Sequence, residues 1–191
     1  MYEGKLIRLR AMRAEDAEFY VRWMNNTDMA ERIMAGAMPL TLEQEREWIQ
    51  KNAGRQDDHC HFAVETLEGE LLGSCSYHQL DWKNRKCLVG WFIGDPEMRG
   101  KGYGTDMIET ILKVCFEVLG LRKVRLEVHG FNVEAIRLYE RLGFTLEGTF
   151  RKEVFAIGRW WDERRYGMFK TEWAAQRGIS LDGDGEQHGL D

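Results

Sequence analysis

Residues 88–104 constrain this chain more than any other stretch. The apolar run Leu88-Val-Gly-Trp-Phe-Ile93 leads into Gly94-Asp-Pro-Glu-Met98 and then Arg99-Gly-Lys-Gly-Tyr-Gly104. From there Met107, Ile108, Ile111, Leu112, Cys115, Phe116 and Leu119 recur at helical spacing. The pattern is a strand that delivers the chain through a glycine-rich turn into the N-terminus of a long amphipathic helix. Such a junction leaves backbone N–H groups pointing outward, free of Cβ atoms, where the helix dipole is positive, which makes a cradle for an anion. It is not the dinucleotide fingerprint, because residues 100–105 do not satisfy G-x-G-x-x-G and no parallel βαβ unit precedes them. Glycine also serves ordinary tight turns, so the cradle needs a second signal.

The rest of the chain supplies the frame. Residues 5–12 alternate apolar and basic side chains as a half-buried strand does, and Phe19, Tyr20, Trp23 and Met24 follow at helical spacing behind Glu15-Asp16. Thr41-Leu-Glu-Gln44 has the form of a capping box for a second helix reaching about Asn52, and 27–40 reads as loop. Residues 60–66, 71–79 and 86–93 form an antiparallel meander. Beyond the long helix come a strand at 123–129, a helix from Asn132 to Leu142 stopped by Gly143, and strands at 145–156 and 159–169 turning at Gly158. Residues 178–191, rich in glycine and aspartate, read as a disordered acidic tail. At 191 residues, with 43% apolar and 31% charged side chains, this is one domain, residues 1–177, and no repeat.

Charge and cysteine usage exclude several function classes. A net charge of -5 lacks the basic footprint of a nucleic-acid binder and suits a cationic amine partner better. Cys60, Cys75, Cys87 and Cys115 are far apart and read as reduced, buried thiols. No apolar run has the length of a membrane span or a signal core, so the expected location is the cytoplasm. His59-x-His61 has the look of a metal pair, but two further ligands are not evident, and no metal is expected.

The second signal is Asn132-Val-Glu-Ala135 followed by Tyr139-Glu-Arg-Leu-Gly143-Phe144. Together with Arg99-x-x-Gly102-x-Gly104, it resembles the GNAT N-acetyltransferase superfamily, whose two motifs occur in this order and context. The outer segments, Lys5-Leu-Ile-Arg-Leu-Arg10, Trp23-x-Asn25, Trp48 and Gly158 to Met168, are similar to the branch that holds Rim-type and spermidine acetyltransferases. The resemblance implies an α/β (α+β) fold: a mixed, mostly antiparallel central sheet flanked by about four helices and splayed between its fourth and fifth strands. It also implies acetyl-CoA as acyl donor. The turn Arg99, Gly100, Lys101, Gly102, Tyr103, Gly104 and Thr105 would take the pyrophosphate, while the edge at Trp91, Phe92 and Ile93, with Asn132, would take the pantetheine arm.

Read without the family, Asn132 is an N-cap and Tyr139 a core aromatic among Ile136, Leu138 and Leu142. The family places its general acid at Tyr139. The chemistry agrees, since a thiolate whose parent thiol titrates near ~8.5 must leave, and a positioned phenol can protonate it. Glu31, Glu127, His129 and His78 are candidate bases by expected proximity alone. The acceptor side would be built by the first two helices and the last hairpin, with Trp23, Met29, Glu31, Trp160, Trp161 and Asp162 as lining residues. A protein N-terminus, a polyamine and an amino sugar or antibiotic remain open as acceptors, as does a homodimeric assembly. The rival reading from another class is a non-catalytic acyl-CoA-binding module.

Overall fold

The computed structural model describes residues 1–34, 38–54 and 57–181. One mixed sheet runs through the molecule in the order β1-β2-β3-β4-β5-β6-β8-β7. Its strands are β1 (Tyr2–Glu3), β2 (Ile7–Ala11), β3 (Cys60–Thr66), β4 (Leu71–Asp81), β5 (Lys86–Ile93), β6 (Lys123–His129), β7 (Thr145–Ala156) and β8 (Arg159–Phe169). Every neighbouring pair is antiparallel except β5 and β6. That parallel ladder lasts only from Lys86↔Lys123 to Leu88↔Arg125. Beyond Leu88 the two strands part, and this is the splay expected between the fourth and fifth strands. The labels shift by one because Tyr2–Glu3 adds a short strand against β2.

β5 is apolar almost throughout because both of its faces are covered. On one face Cys87, Val89, Trp91 and Ile93 join the main core with Met107, Ile108, Ile111 and Leu112 of α4 (Tyr103–Lys113) and Ile136 and Tyr139 of α5 (Val133–Arg141). On the other, Phe92 packs with Met12, Ala17, Tyr20, Trp23, Ile49 and Ala63. Those residues bring in α1 (Ala17–Met24) and α3 (Leu42–Asn52). The reciprocal box that starts α3 forms as expected, with Gln44 N–H donating to Thr41 Oγ1 at 3.2 Å and Thr41 N–H to Gln44 Oε1 at 2.9 Å.

Two helices correct the sequence reading. Part of the expected loop 27–40 is α2 (Thr27–Met34), started by Asn26, whose side-chain oxygen accepts from Met29 N–H at 3.3 Å. After β8 the chain continues into α6 (Lys170–Arg177), where the fully buried Trp173 packs on Phe116 and Gly178 ends the helix at φ 65°. Leu181 packs against the core, and the rest of the expected tail, residues 182–191, lies outside the described residues. All four cysteines are buried and unbridged. Among the described residues, no helix is long and apolar enough to cross a membrane.

Candidate active site

The splay begins where β5 leaves β6, so the edge of β5 from Val89 to Ile93 has no ladder partner on that side. The glycine-rich turn follows directly. Gly100 (φ 75°) and Gly102 (φ 91°) both adopt the left-handed conformation that glycine tolerates best, so the turn itself requires them. Gly104 is different. Its backbone is not left-handed, and an added Cβ would meet only ordinary contacts, 3.7 Å from Ile93 Cδ1 and 3.8 Å from Leu138 Cδ2. Helical glycine in place of alanine costs about 0.8–1 kcal/mol, and nothing in the protein's own packing requires that cost.

Gly102 is the N-cap of α4, and no side chain caps that end. The first helical amides, Tyr103, Gly104 and Thr105, are thus left for an external acceptor, in keeping with an anion cradle. Lys101 is exposed beside them and Arg99 turns back, its Nη2 donating to Ile93 C=O at 3.3 Å and lying 3.9 Å from Met29 Sδ. The turn is thereby tied both to the end of β5 and to α2. The residues present fit a pyrophosphate-bearing acyl carrier.

Across the splay, Asn132 caps α5, its Oδ1 accepting from Ala135 N–H at 3.3 Å. About two turns later Tyr139 faces the sheet. Its ring meets Trp91 edge-on at 5.3 Å and lies 6.1 Å from Phe144 and 6.3 Å from Tyr166. Burial pushes its phenol well above the ordinary value of 10.0, while a hydrogen bond from Trp91 works in the other direction. The phenol is therefore a protonated group in neutral solution.

The acceptor-side residues divide. Trp23 is 5% exposed and edge-on to Phe92, and a Cβ at Gly94 would collide with its indole, so it is a packing residue. Met29 is also buried. The side chain of Glu31 lies outside the described residues. Trp160 is exposed near the tip of the β7–β8 hairpin beside Phe155. Asp162 anchors that hairpin: its carboxylate accepts from Lys152 N–H at 2.9 Å and its carbonyl from Gly130 N–H at 2.7 Å. Trp161 packs on Phe131 and donates from Nε1 to Ala156 C=O at 2.9 Å.

Of the candidate bases, Glu127 and His129 lie on β6 toward the open end of the splay. Glu127 pairs with Arg165 at 3.0 Å. Burial lowers His129 against the pull of Glu163 and Glu127. His78 lies beside Leu88, where β5 and β6 are still paired, and so is placed away from the opening.

Sequence reasoning missed Asp106, which lies in the first turn of α4 directly behind the cradle. It is buried, and its carboxylate accepts from the N–H groups of Lys5, Leu6 and Ile7 at 3.0, 2.7 and 3.1 Å. It fastens the start of β2 to the helix that carries the glycine turn.

The acetyltransferase (GNAT) domain matches residues 7–145. The spermidine N(1)-acetyltransferase of Vibrio cholerae is 27% identical over 173 residues, 87% of this chain and 95% of that protein. The putative ribosomal N-acetyltransferase YdaF of Bacillus subtilis is 29% identical over 175 residues, covering 90% and 95%. A crystal structure of the Vibrio cholerae spermidine N-acetyltransferase in complex with CoA and spermine matches with a TM-score of 0.80 at 26% identity, over 87% of this chain and 97% of that one. With the family's sheet, splay and glycine turn all in place, the chain belongs to the GNAT acetyltransferase family and is an acetyl-CoA-dependent N-acetyltransferase.

Proposed function

We propose that this enzyme acetylates the primary amine of a polyamine or of a polypeptide N-terminus, with Tyr139 as general acid. The observation that carries the reading is the buried, protonated phenol of Tyr139 set against Trp91 of the splayed strand, with the uncapped glycine turn, Arg99 to Gly104, beginning six residues after that strand ends at Ile93. The two named relatives, one for spermidine and one for a ribosomal substrate, support these two acceptor classes.

In this reading the amides from Arg99 to Thr105 hold the pyrophosphate, and the open edge Trp91 to Ile93, with Asn132, holds the pantetheine arm as an added strand would. Acetyl-CoA, when bound, supplies the activated thioester. Tyr139 keeps a proton on its hydroxyl for the departing sulfur, so that its O–H bond breaks as the S–H bond forms. The incoming amine must first lose a proton of pKa near ~10, which favours reaction at alkaline pH. Trp160 and Asp162, on the hairpin pinned to the end of β6, stand on the acceptor side. The unit that performs this is residues 1–177, and the four buried free thiols support a reducing, cytoplasmic setting.

The test is release of free thiol from acetyl-CoA against a panel of spermidine, spermine, short N-terminal peptides and amino sugars. Turnover with polyamines or peptides well above that with amino sugars is expected. Thiol release confined to amino sugars would overturn the acceptor assignment, and none with any amine would overturn the whole reading.

A further inference from the structure

The face of the sheet turned away from α4 and α5 holds a cavity where the splay begins. Val124, Leu126 and Val128 of β6 belong to the main core, so strand alternation turns Arg125 and Glu127 to the other side. Leu88, the last β5 residue paired with β6, stands opposite Arg125. Two glycines leave the space beside them open: Gly167 of β8 pairs with Arg125, and Gly148 of β7 pairs with Arg165. The result is a cavity of about 170 Å³ whose lining includes Leu88, Arg125, Glu127, Glu147, Phe150 and Arg165. A cavity of ~150 Å³ holds a benzene ring, so a carboxylated side chain fits this one. Gly90 follows Leu88 on the same face, two residues or about 7 Å along β5. A Cβ there would meet only Ser76 Oγ, at 3.7 Å, and its absence keeps β5 bare between the cavity and the splay.

The charges around this cavity pair off and leave one over. Glu127 meets Arg165 at 3.0 Å, and Arg165 also reaches Glu163 at 3.3 Å while its guanidinium lies 3.7 Å over the Phe150 ring. Glu147, folded over Gly167, takes Lys123 at 2.5 Å. Arg125 has no such match. Among the described residues no carboxylate pairs with it, and its Nε is buried without a hydrogen-bond partner. A guanidinium keeps its charge at every relevant pH, and its planar fork of donors fits a carboxylate. Half-buried and unmatched, it costs free energy that an incoming anion would recover.

We propose that Arg125 is a specificity-determining residue of the acceptor site, and that the acceptor is a polypeptide N-terminus carrying an acidic side chain in its first two residues. The proposal rests on the reading of this enzyme as transferring an acetyl group to a primary amine in the splay, and it chooses between the acceptor classes that reading allows. Distance selects the source of the carboxylate. With the amine near Gly90, the cavity lies about 7 Å away. The α-carboxylate of a free amino acid is only about 3 Å from its own amine, whereas the side chain of a first or second residue spans the gap. A polyamine fails on charge, because its next ammonium would enter beside an unpaired guanidinium, and like charges set together discriminate against that partner. Leu88 and Phe150 give the methylenes of the acidic side chain apolar walls, and its ion pair with Arg125 sets the register that brings the amine to the thioester.

The test uses the full chain and two peptides identical except at the second residue, one starting Ser-Glu and the other Ser-Gln, with spermidine and free glutamate as further acceptors. Thiol release from acetyl-CoA gives kcat/KM, and calorimetry on the coenzyme A-loaded enzyme gives peptide affinity without turnover. The acidic peptide should exceed its glutamine twin by at least about 10-fold in both measurements, the scale of a hydrogen-bonded charge pair, and should exceed spermidine. Arg125→Met should abolish the difference, through KM of the acidic peptide more than through kcat, and Arg125→Lys should keep part of it. Equal values for the two peptides on the parent, or a preference that survives Arg125→Met, would overturn the proposal. Turnover confined to spermidine would overturn it too while leaving acetyl transfer to an amine standing, and faster turnover of glutamate than of either peptide would overturn the polypeptide assignment. If no acceptor releases thiol, the transfer reading fails, and the calorimetric comparison of the two peptides still decides the Arg125 site. That comparison is made on the parent, so it holds even where a variant fails to fold.

Discussion

The Trp91 and Tyr139 rings meet edge to face across the seam between β5 and α5, their centroids 5.3 Å apart and their planes at 78°. The contact couples the strand proposed to hold the cofactor arm to the residue proposed to protonate the leaving group. Tyr139→Phe deletes one hydroxyl and keeps this ring contact. Turnover should fall by about 10²- to 10⁴-fold while coenzyme A affinity and melting temperature hold, because a general acid contributes on that scale. A stable phenylalanine variant with more than about half the parental rate would remove Tyr139 from the chemistry, since so small a loss does not fit deletion of a rate-limiting proton donor.

The displaced pKa of Tyr139 fixes the sign of the pH response. Burial raises the phenol above its ordinary 10.0, so the acid stays protonated throughout the range in which the acceptor amine begins to lose its proton. The expected kcat/KM rises steadily from neutral pH and shows no descending limb below pH 10. A bell-shaped profile that turns down near pH 8 would assign the acid to another group.

Gly104 separates binding from folding. Because its φ is ordinary and a Cβ has room, Gly104→Ala should fold at least as well as the parent, gaining up to about 1 kcal/mol of helix propensity. If a phosphate sits against this backbone, the same methyl should weaken coenzyme A binding at least 10-fold by calorimetry. Gly102→Ala makes a poorer probe, since φ 91° and Leu6 Cδ1 at 3.3 Å make it destabilising for the fold itself. Unchanged affinity in a stable Gly104→Ala variant would place the pyrophosphate elsewhere.

What was legible in the sequence follows from the range of the interactions. The glycine turn into α4 and the helix that carries Tyr139 are written in contiguous motifs, the splay came with the family resemblance, and two-sided burial of β5 shows as an unbroken apolar run. Helix α2 was missed because its apolar stripe, Met29, Ala30, Ile33 and Met34, spans only two turns and runs into the loop signals Gly36 and Pro39. Helical spacing gives the face on which Trp23 lies but not its neighbours, here Phe92 and Gly94. Asp106 reads as an ordinary acidic first turn, and its three amide partners lie a hundred positions away.

That last arrangement has a measurable cost when removed. Asp106→Ala strands the N–H groups of Lys5, Leu6 and Ile7 near the core, and bonds to a charged acceptor are worth about 1.5–3 kcal/mol each before local relaxation. A net loss of about 2–4 kcal/mol in urea unfolding is expected, together with faster hydrogen exchange at those three amides than elsewhere in β2. An alanine variant as stable as the parent, with the three amides still protected, would show that β2 is held by its ladder to β3 alone.

The buried ion network under α1 should dominate the acid limb of stability. Arg10 grips Asp16 through Nη1 and Nη2 at 2.7 and 2.8 Å and reaches Glu65 through Nε, and all three residues are under 10% exposed. Asp16 also accepts from Arg13 N–H at 2.7 Å, so the network joins β2, β3 and the turn that starts α1. Removing the guanidinium with Arg10→Met leaves the buried Asp16 carboxylate without its charge partner and Glu65 with Arg8 alone, which costs about 3–5 kcal/mol. Burial alone would raise the Glu65 carboxyl, but the hydrogen bond and charge of Arg10, assisted by Arg8, hold it below its ordinary 4.5. A carboxyl whose folded pKa is depressed stabilises the fold at every pH above its unfolded value, and that stabilisation is lost as pH falls through the folded one. Unfolding free energy should therefore be flat from pH 7 to about pH 5 and decline below it. Glu65→Gln should be less stable at pH 7 and decline less steeply, so that the two curves converge in acid. Parallel curves for parent and variant would show that the acid limb belongs to other carboxylates and that Glu65 is held by geometry without a net electrostatic contribution.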